Sequence, residues 1–118
     1  MTENPVKPEK LFVLWSSGDR EVATKMVFMY TLNAKRKGWW NDISLIVWGP
    51  SAKLVSEDKE LQAEIIKIKE AGVELMACKA CSDLYGVSED LEALGIDVKY
   101  MGEPLTQLLK EGHKIITF

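Results

Sequence analysis

The chain is short of most of what common catalysts and binders are built from. Its 118 residues include one histidine and two cysteines. A zinc site usually takes about four ligands, and the obvious candidates here are Cys78, Cys81 and His113. His113 precedes the last apolar run, which places it at the opposite edge of a sheet from the cysteines. Neither a metal centre within one subunit nor a Cys–His hydrolase is expected. There is no excess of positive charge: the net charge is -3, whereas nucleic-acid binding calls for a basic stripe. No apolar stretch reaches the roughly 20 residues of a membrane helix, so no membrane partner is expected. Neither Gly-x-x-x-x-Gly-Lys-Ser/Thr nor Gly-x-Gly-x-x-Gly occurs, which removes the usual phosphate cradles. No cofactor is called for. The first ten residues lack the apolar core of a secretory signal. Residues 1–9 read as a disordered arm, and the expected setting is a reducing cytoplasm. There, close cysteine pairs tend to be catalytic or metal-binding rather than structural.

What is present is a regular alternation of apolar runs and amphipathic stretches. Residues 11–15, 43–48 and 73–77 are short, nearly continuous apolar runs, the pattern of strands covered on both faces. Residues 96–100 alternate apolar and charged side chains, as an edge strand does, and 115–118 make a closing strand. Helices are expected over 21–37, 58–71, 88–94 and 103–111, with short helical turns over 51–55 and just after Cys78. Asp19 or Ser17 is the expected cap of the first helix and Ser88 that of the 88–94 helix. Gly38, Gly72 and Gly95 are the stops. About five strands alternating with helices predict one α/β domain over 10–118. It should have three layers, α/β/α, around a mainly parallel sheet. The 21–37 helix is apolar well round its axis. Val22, Met26 and Tyr30 form one stripe, and Phe28, Met29 and Leu32 extend it. Deep burial and a subunit interface both account for that.

In a parallel sheet the loops that follow the strands emerge at one edge, where ligands bind. Three loops are thereby gathered. Ser16, Ser17 and Gly18 follow the first strand and offer hydroxyls and N–H groups. Trp48 and Gly49 follow the second. Cys78, Lys79 and Cys81 follow the third. Cys78 falls where strand gives way to helix, among free N–H groups at the positive end of the helix dipole, a setting that favours thiolate. Cys81 lies about one turn further in. Cys78 is therefore expected to be the more acidic and the faster to alkylate, provided both thiols are exposed. Lys79 is either an added positive charge or a solvated surface residue. A Cys-x-x-Cys pair lacking the aromatic and Gly-Pro neighbours of thioredoxins points to sulfur or redox chemistry.

Several segments resemble the DsrE/DsrF-like family. They are Trp48-Gly-Pro-Ser51, Ala71-Gly-Val-Glu74, Ala77-Cys-Lys-Ala-Cys81, Leu94-Gly-Ile-Asp-Val98 and Lys114-Ile-Ile-Thr-Phe118. The likeness runs in order over nearly the whole chain from Leu11. It implies an α/β/α fold, a cytoplasmic location and a homo-oligomer, commonly a trimer or hexamer. In the family's sulfur-relay members the cysteine after the third strand carries a persulfide, and Cys78 occupies the matching position. The resemblance thus implies a sulfur carrier or sulfurtransferase that works with donor and acceptor proteins. Cys81 lies outside the relay pattern. It is either a second reactive thiol that attacks the Cys78 persulfide, or a wall residue. Two other readings stay open: a dithiol redox protein or sensor using Cys78 and Cys81, and a non-catalytic oligomeric module that binds a small ligand or partner.

Overall fold

The computed structural model describes residues 10–118; the arm expected over 1–9 lies outside them. Five strands form one sheet: β1 (Lys10–Trp15), β2 (Asp42–Val47), β3 (Glu74–Cys78), β4 (Asp97–Lys99) and β5 (Lys114–Thr117). Their order is β4-β3-β2-β1-β5, and every neighbouring pair is parallel. The three longest apolar runs became the three inner strands. β2 and β3 are buried along their length except at the first residue, because inner strands of a parallel sheet are covered on both faces. β4 and β5 are edge strands, with alternate or most residues exposed.

The strand order decides where the helices go. From β1 to β4 each connection steps one place in the same direction. Right-handed crossovers then put every intervening helix on one face. The connection from β4 to β5 runs back past the whole sheet and drops its helix, Gly102–Lys110, on the other face. The core is split accordingly. On the crowded face Val13, Trp15, Leu45, Val47, Leu75 and Ala77 pack against Val27, Val55, Leu61, Ile65 and Leu91. On the sparse face Phe12, Ile46, Met76 and Cys78 meet Met101, with Leu108 beside them. Successive strand residues point to opposite faces, so Ala77 belongs to the first layer and Cys78 to the second.

Two details depart from expectation. The first helical run, 20–36, contains a π-helical segment, Ala23–Phe28, between Arg20–Val22 and Met29–Arg36. A π segment takes in more residues per turn, so the inward face shifts. Ala23, Val27, Phe28, Thr31 and Ala34 are buried, whereas Met26, expected inside, is 47% exposed and Met29 is 55% exposed. Asp19 does cap this run, accepting from the N–H groups of Glu21 and Val22 at 2.7 and 3.2 Å. Ser88 does not cap the helix Ser88–Ala93: Val87 stands at that position with no side-chain bond. The Ser88 hydroxyl instead donates to Asp83 Oδ1 at 2.5 Å and meets the Ser82 hydroxyl at 2.7 Å. This ties the helix to the preceding one, Lys79–Tyr85.

Candidate functional site

The loops after β1, β2 and β3 do converge at the C-terminal edge of the sheet, but they are not equally free. Ser16 is committed to structure. Its N–H and its hydroxyl both donate to the Phe118 carbonyl, at 2.7 and 3.0 Å, and the Ser17 N–H donates to the same oxygen at 3.2 Å. The Ser17 hydroxyl accepts from the Asp19 N–H at 3.1 Å. Gly18 faces Pro50 so closely that a Cβ would stand 3.1 Å from the proline Cβ. The Ser51 N–H donates to the Ser16 carbonyl at 3.2 Å, and the Ser51 hydroxyl donates to the Trp15 carbonyl at 2.5 Å. The first two loops are thus stitched into one wall, with β5 closing its far end.

The cysteines lie on the other side of that wall. Cys78 ends β3, paired with Lys99 of β4, and is the N-cap residue of the helix Lys79–Tyr85 with φ -74° and ψ 113°. Its thiol makes no capping bond; it points into the sparse-face core, and the residue is 4% exposed. The condition attached to its faster alkylation, exposure of both thiols, is therefore not met. Cys81 is partly exposed and packs, with Trp48, against the same cluster. Burial pushes the Cys81 thiol above its ordinary range, and a hydrogen-bonding contact with the Cys78 thiol pushes it the same way. The N–H of Gly49 acts in the opposite sense. Gly49 has φ 68° and ψ -135°, a backbone conformation that favours glycine. The Cys81 N–H, within the helix, acts in the same sense as that of Gly49.

Lys79 is committed as well. Its ammonium sits 3.1 Å from Asp83 Oδ2 and 5.8 Å above the centroid of the Tyr100 ring. The bond to Asp83 holds the lysine above its usual range. Asp83 is held below the carboxylate range by the Ser88 hydroxyl first and Lys79 second. His113 lies at the opposite edge, its ring edge-on to Phe12 at 5.4 Å and its Nε2 3.3 Å from Glu111. The residue that the sequence reading missed is Met101, 1% exposed in the cluster that encloses Cys78. It follows β4 and so belongs to the same edge. Its position in the chain was the available signal, but a lone methionine after an edge strand carries no chemistry to draw attention.

Comparison with known proteins agrees with this fold. A conserved protein of unknown function from Bacteroides thetaiotaomicron is 42% identical and superposes with a TM-score of 0.91, over 93% of this chain and 95% of that one. A protein of unknown function from Methanobacterium thermoautotrophicum (18% identity, TM-score 0.70, 92% and 97% covered) shares the fold. So does the ychN protein of E. coli (17%, 0.65, 95% and 100%). None of the curated proteins matches significantly. The model of the DsrE/DsrF-like family matches residues 9–118. With the parallel sheet, the cysteine-bearing edge and a family match over nearly its whole length, the chain belongs to the DsrE/DsrF-like family.

Proposed function

We propose that the protein is a sulfur carrier that holds sulfane sulfur as a persulfide on Cys78. The observation that carries this reading is the pairing of two free thiols, one enclosed and one at the surface, where β3 meets its helix. A persulfide needs shelter from water-borne thiols, and the apolar cluster of Ile46, Met76 and Met101 supplies it. Loading transfers the outer sulfur of a donor persulfide to a protein thiol. The donor's inner sulfur leaves as thiolate, and no net oxidation occurs. Family membership supports the reading by analogy; the compared structures carry no assigned activity. The same thiol contact favours a second reading, a dithiol that closes to a disulfide on oxidation.

The protein would work between donor and acceptor proteins in a reducing cytoplasm, which keeps both thiols free. Among the described residues no helix is long and apolar enough to cross a membrane. A homo-oligomer, trimer or hexamer, would cover Met26, Met29 and Trp39, which are exposed around a groove of about 400 Å³ that Tyr30 and Phe118 also line.

The test is mass spectrometry after incubation with inorganic polysulfide and trapping with iodoacetamide. The expected product is the protein plus one sulfur, removable by dithiothreitol and mapped to Cys78. A loss of two hydrogens with no sulfur gained would favour the dithiol reading. An unchanged mass would sink both and leave a binding module.

A further inference from the structure

The persulfide reading leaves a problem of access. Sulfur transfer needs the attacking thiolate, the incoming sulfur and the leaving sulfur roughly in line. A donor cannot bring that arrangement to a residue that is 4% exposed at the end of an inner strand. Three observations bear on what can receive the sulfur instead. Cys81 stands three residues on, in the first turn of the helix, and packs against the same cluster as Cys78 while remaining partly exposed. Residues three apart on a helix are neighbours, and both cysteines pack against one apolar cluster beneath Trp48. Burial holds the Cys81 thiol above its ordinary range, and the N–H of Gly49, from the loop that follows β2 at the same edge, acts against this and favours charge on sulfur during attack.

We infer that Cys81 is the receiving thiol, which takes sulfane sulfur at the surface and passes it inward to Cys78. This inference rests on the persulfide reading and adds an internal relay to it. In the first step the Cys81 thiolate attacks the outer sulfur of R–S–SH. The new bond gives Cys81–S–SH, and the old S–S bond breaks to release R–S⁻. In the second step Cys78 attacks the terminal sulfur of Cys81–S–SH. The S–S bond on Cys81 breaks, Cys78–S–SH forms, and the proton given up by the Cys78 thiol ends on Cys81. The sulfane sulfur keeps its oxidation level throughout, and no further reactant enters. Attack by Cys78 on the inner sulfur would instead close a disulfide and expel sulfide, so the two courses leave different products.

Lys79 lies between the cysteines, so trypsin places them on separate peptides. The experiment is a time course with inorganic polysulfide, quenched with iodoacetamide, digested and read peptide by peptide. In the wild type, persulfide is expected first on the Cys81 peptide and later on the Cys78 peptide. In Cys78→Ser the persulfide should form on the Cys81 peptide and stay there. Cys81→Ser should lose most of its uptake over the time in which the wild type loads fully. Simultaneous or Cys78-first labelling of the wild type overturns the relay without relying on any variant. Full-rate loading of Cys81→Ser also overturns it while leaving a Cys78 carrier intact. A disulfide with sulfide released overturns it in favour of inner-sulfur attack. A wild type that takes up no sulfur removes both the relay and the carrier.

Discussion

Gly49 has more to lose than any other residue of the β2 loop. Its φ of 68° with ψ of -135° is strained for any residue with a Cβ, and such strain costs on the order of 1–3 kcal/mol. Gly49→Ala should lower stability by about that amount in urea denaturation. It should also displace the Gly49 N–H. Because that N–H acts to lower the Cys81 pKa, its loss shifts the pH midpoint of Cys81 alkylation upward. An unshifted midpoint would show that the donor is immaterial. Met101 makes the complementary test. Truncating a buried methionine to alanine costs about 2–5 kcal/mol, and Met101→Ala also thins the cluster over Cys78. Cys78 should then alkylate faster than in the wild type under conditions where both proteins remain folded. Both cysteines and the glycine were legible from residue type and spacing. Exposure was not, because it depends on which face of the sheet Cys78 takes. That alternates with every residue and is settled only by the register of β3 against β2 and β4.

The elements themselves were easier to read than their orientation. Inner strands announce themselves as apolar runs, and the ends of the 59–70 helix follow from Asp58, which accepts from the Glu60 and Leu61 N–H groups, and from Gly72. The π segment was invisible in the sequence: a 3.6-residue period places Met26 with Val22 and Tyr30, and only the widened turn sends it outward. Ser88 also looked like a cap because its type suits one. The deciding competitor was Asp83, five residues back and already engaged with Lys79. That knot fixes the cysteine helix to the next helix. Ser88→Ala removes a hydrogen bond worth roughly 0.5–1.5 kcal/mol and frees the helix Lys79–Tyr85 at one end. Amide exchange should quicken in that helix and not in β2. The Asp83 carboxyl, held low chiefly by this hydroxyl, should titrate at higher pH. Stability drawn from Asp83 is present above its unfolded pKa and fades as pH falls through the depressed folded value. The variant should therefore lose less stability than the wild type on acidification through that range.

At the scale of the whole molecule, the two faces of the sheet are unequally furnished, and so is the surface. The exposed methionines of the first helical run and Trp39 border one groove, which Phe118 also lines. If copies of the chain associate there, Met29→Glu should shift sedimentation at micromolar concentration toward the monomer and leave sulfur loading unchanged. A wild type that sediments as a monomer removes the argument for assembly through this surface.

The return of the chain from β4 to β5 has a consequence for how the protein comes to be folded. β1 pairs on one side with β2, which follows after a single helical run. On the other side it pairs with β5, and Phe118 bonds to Ser16 across 102 residues of chain. Closing so long a loop is entropically slow to be repaid. During that interval an inner strand of the sheet shows an open row of N–H and C=O groups flanked by Leu11, Val13 and Trp15. An unpaired apolar edge of that kind recruits other chains. β5, with most of its own residues exposed, contributes little to the core. Its larger service is to occupy the edge of β1, so that yield on refolding should depend on protein concentration far more steeply when β5 is weakened than when a helix is.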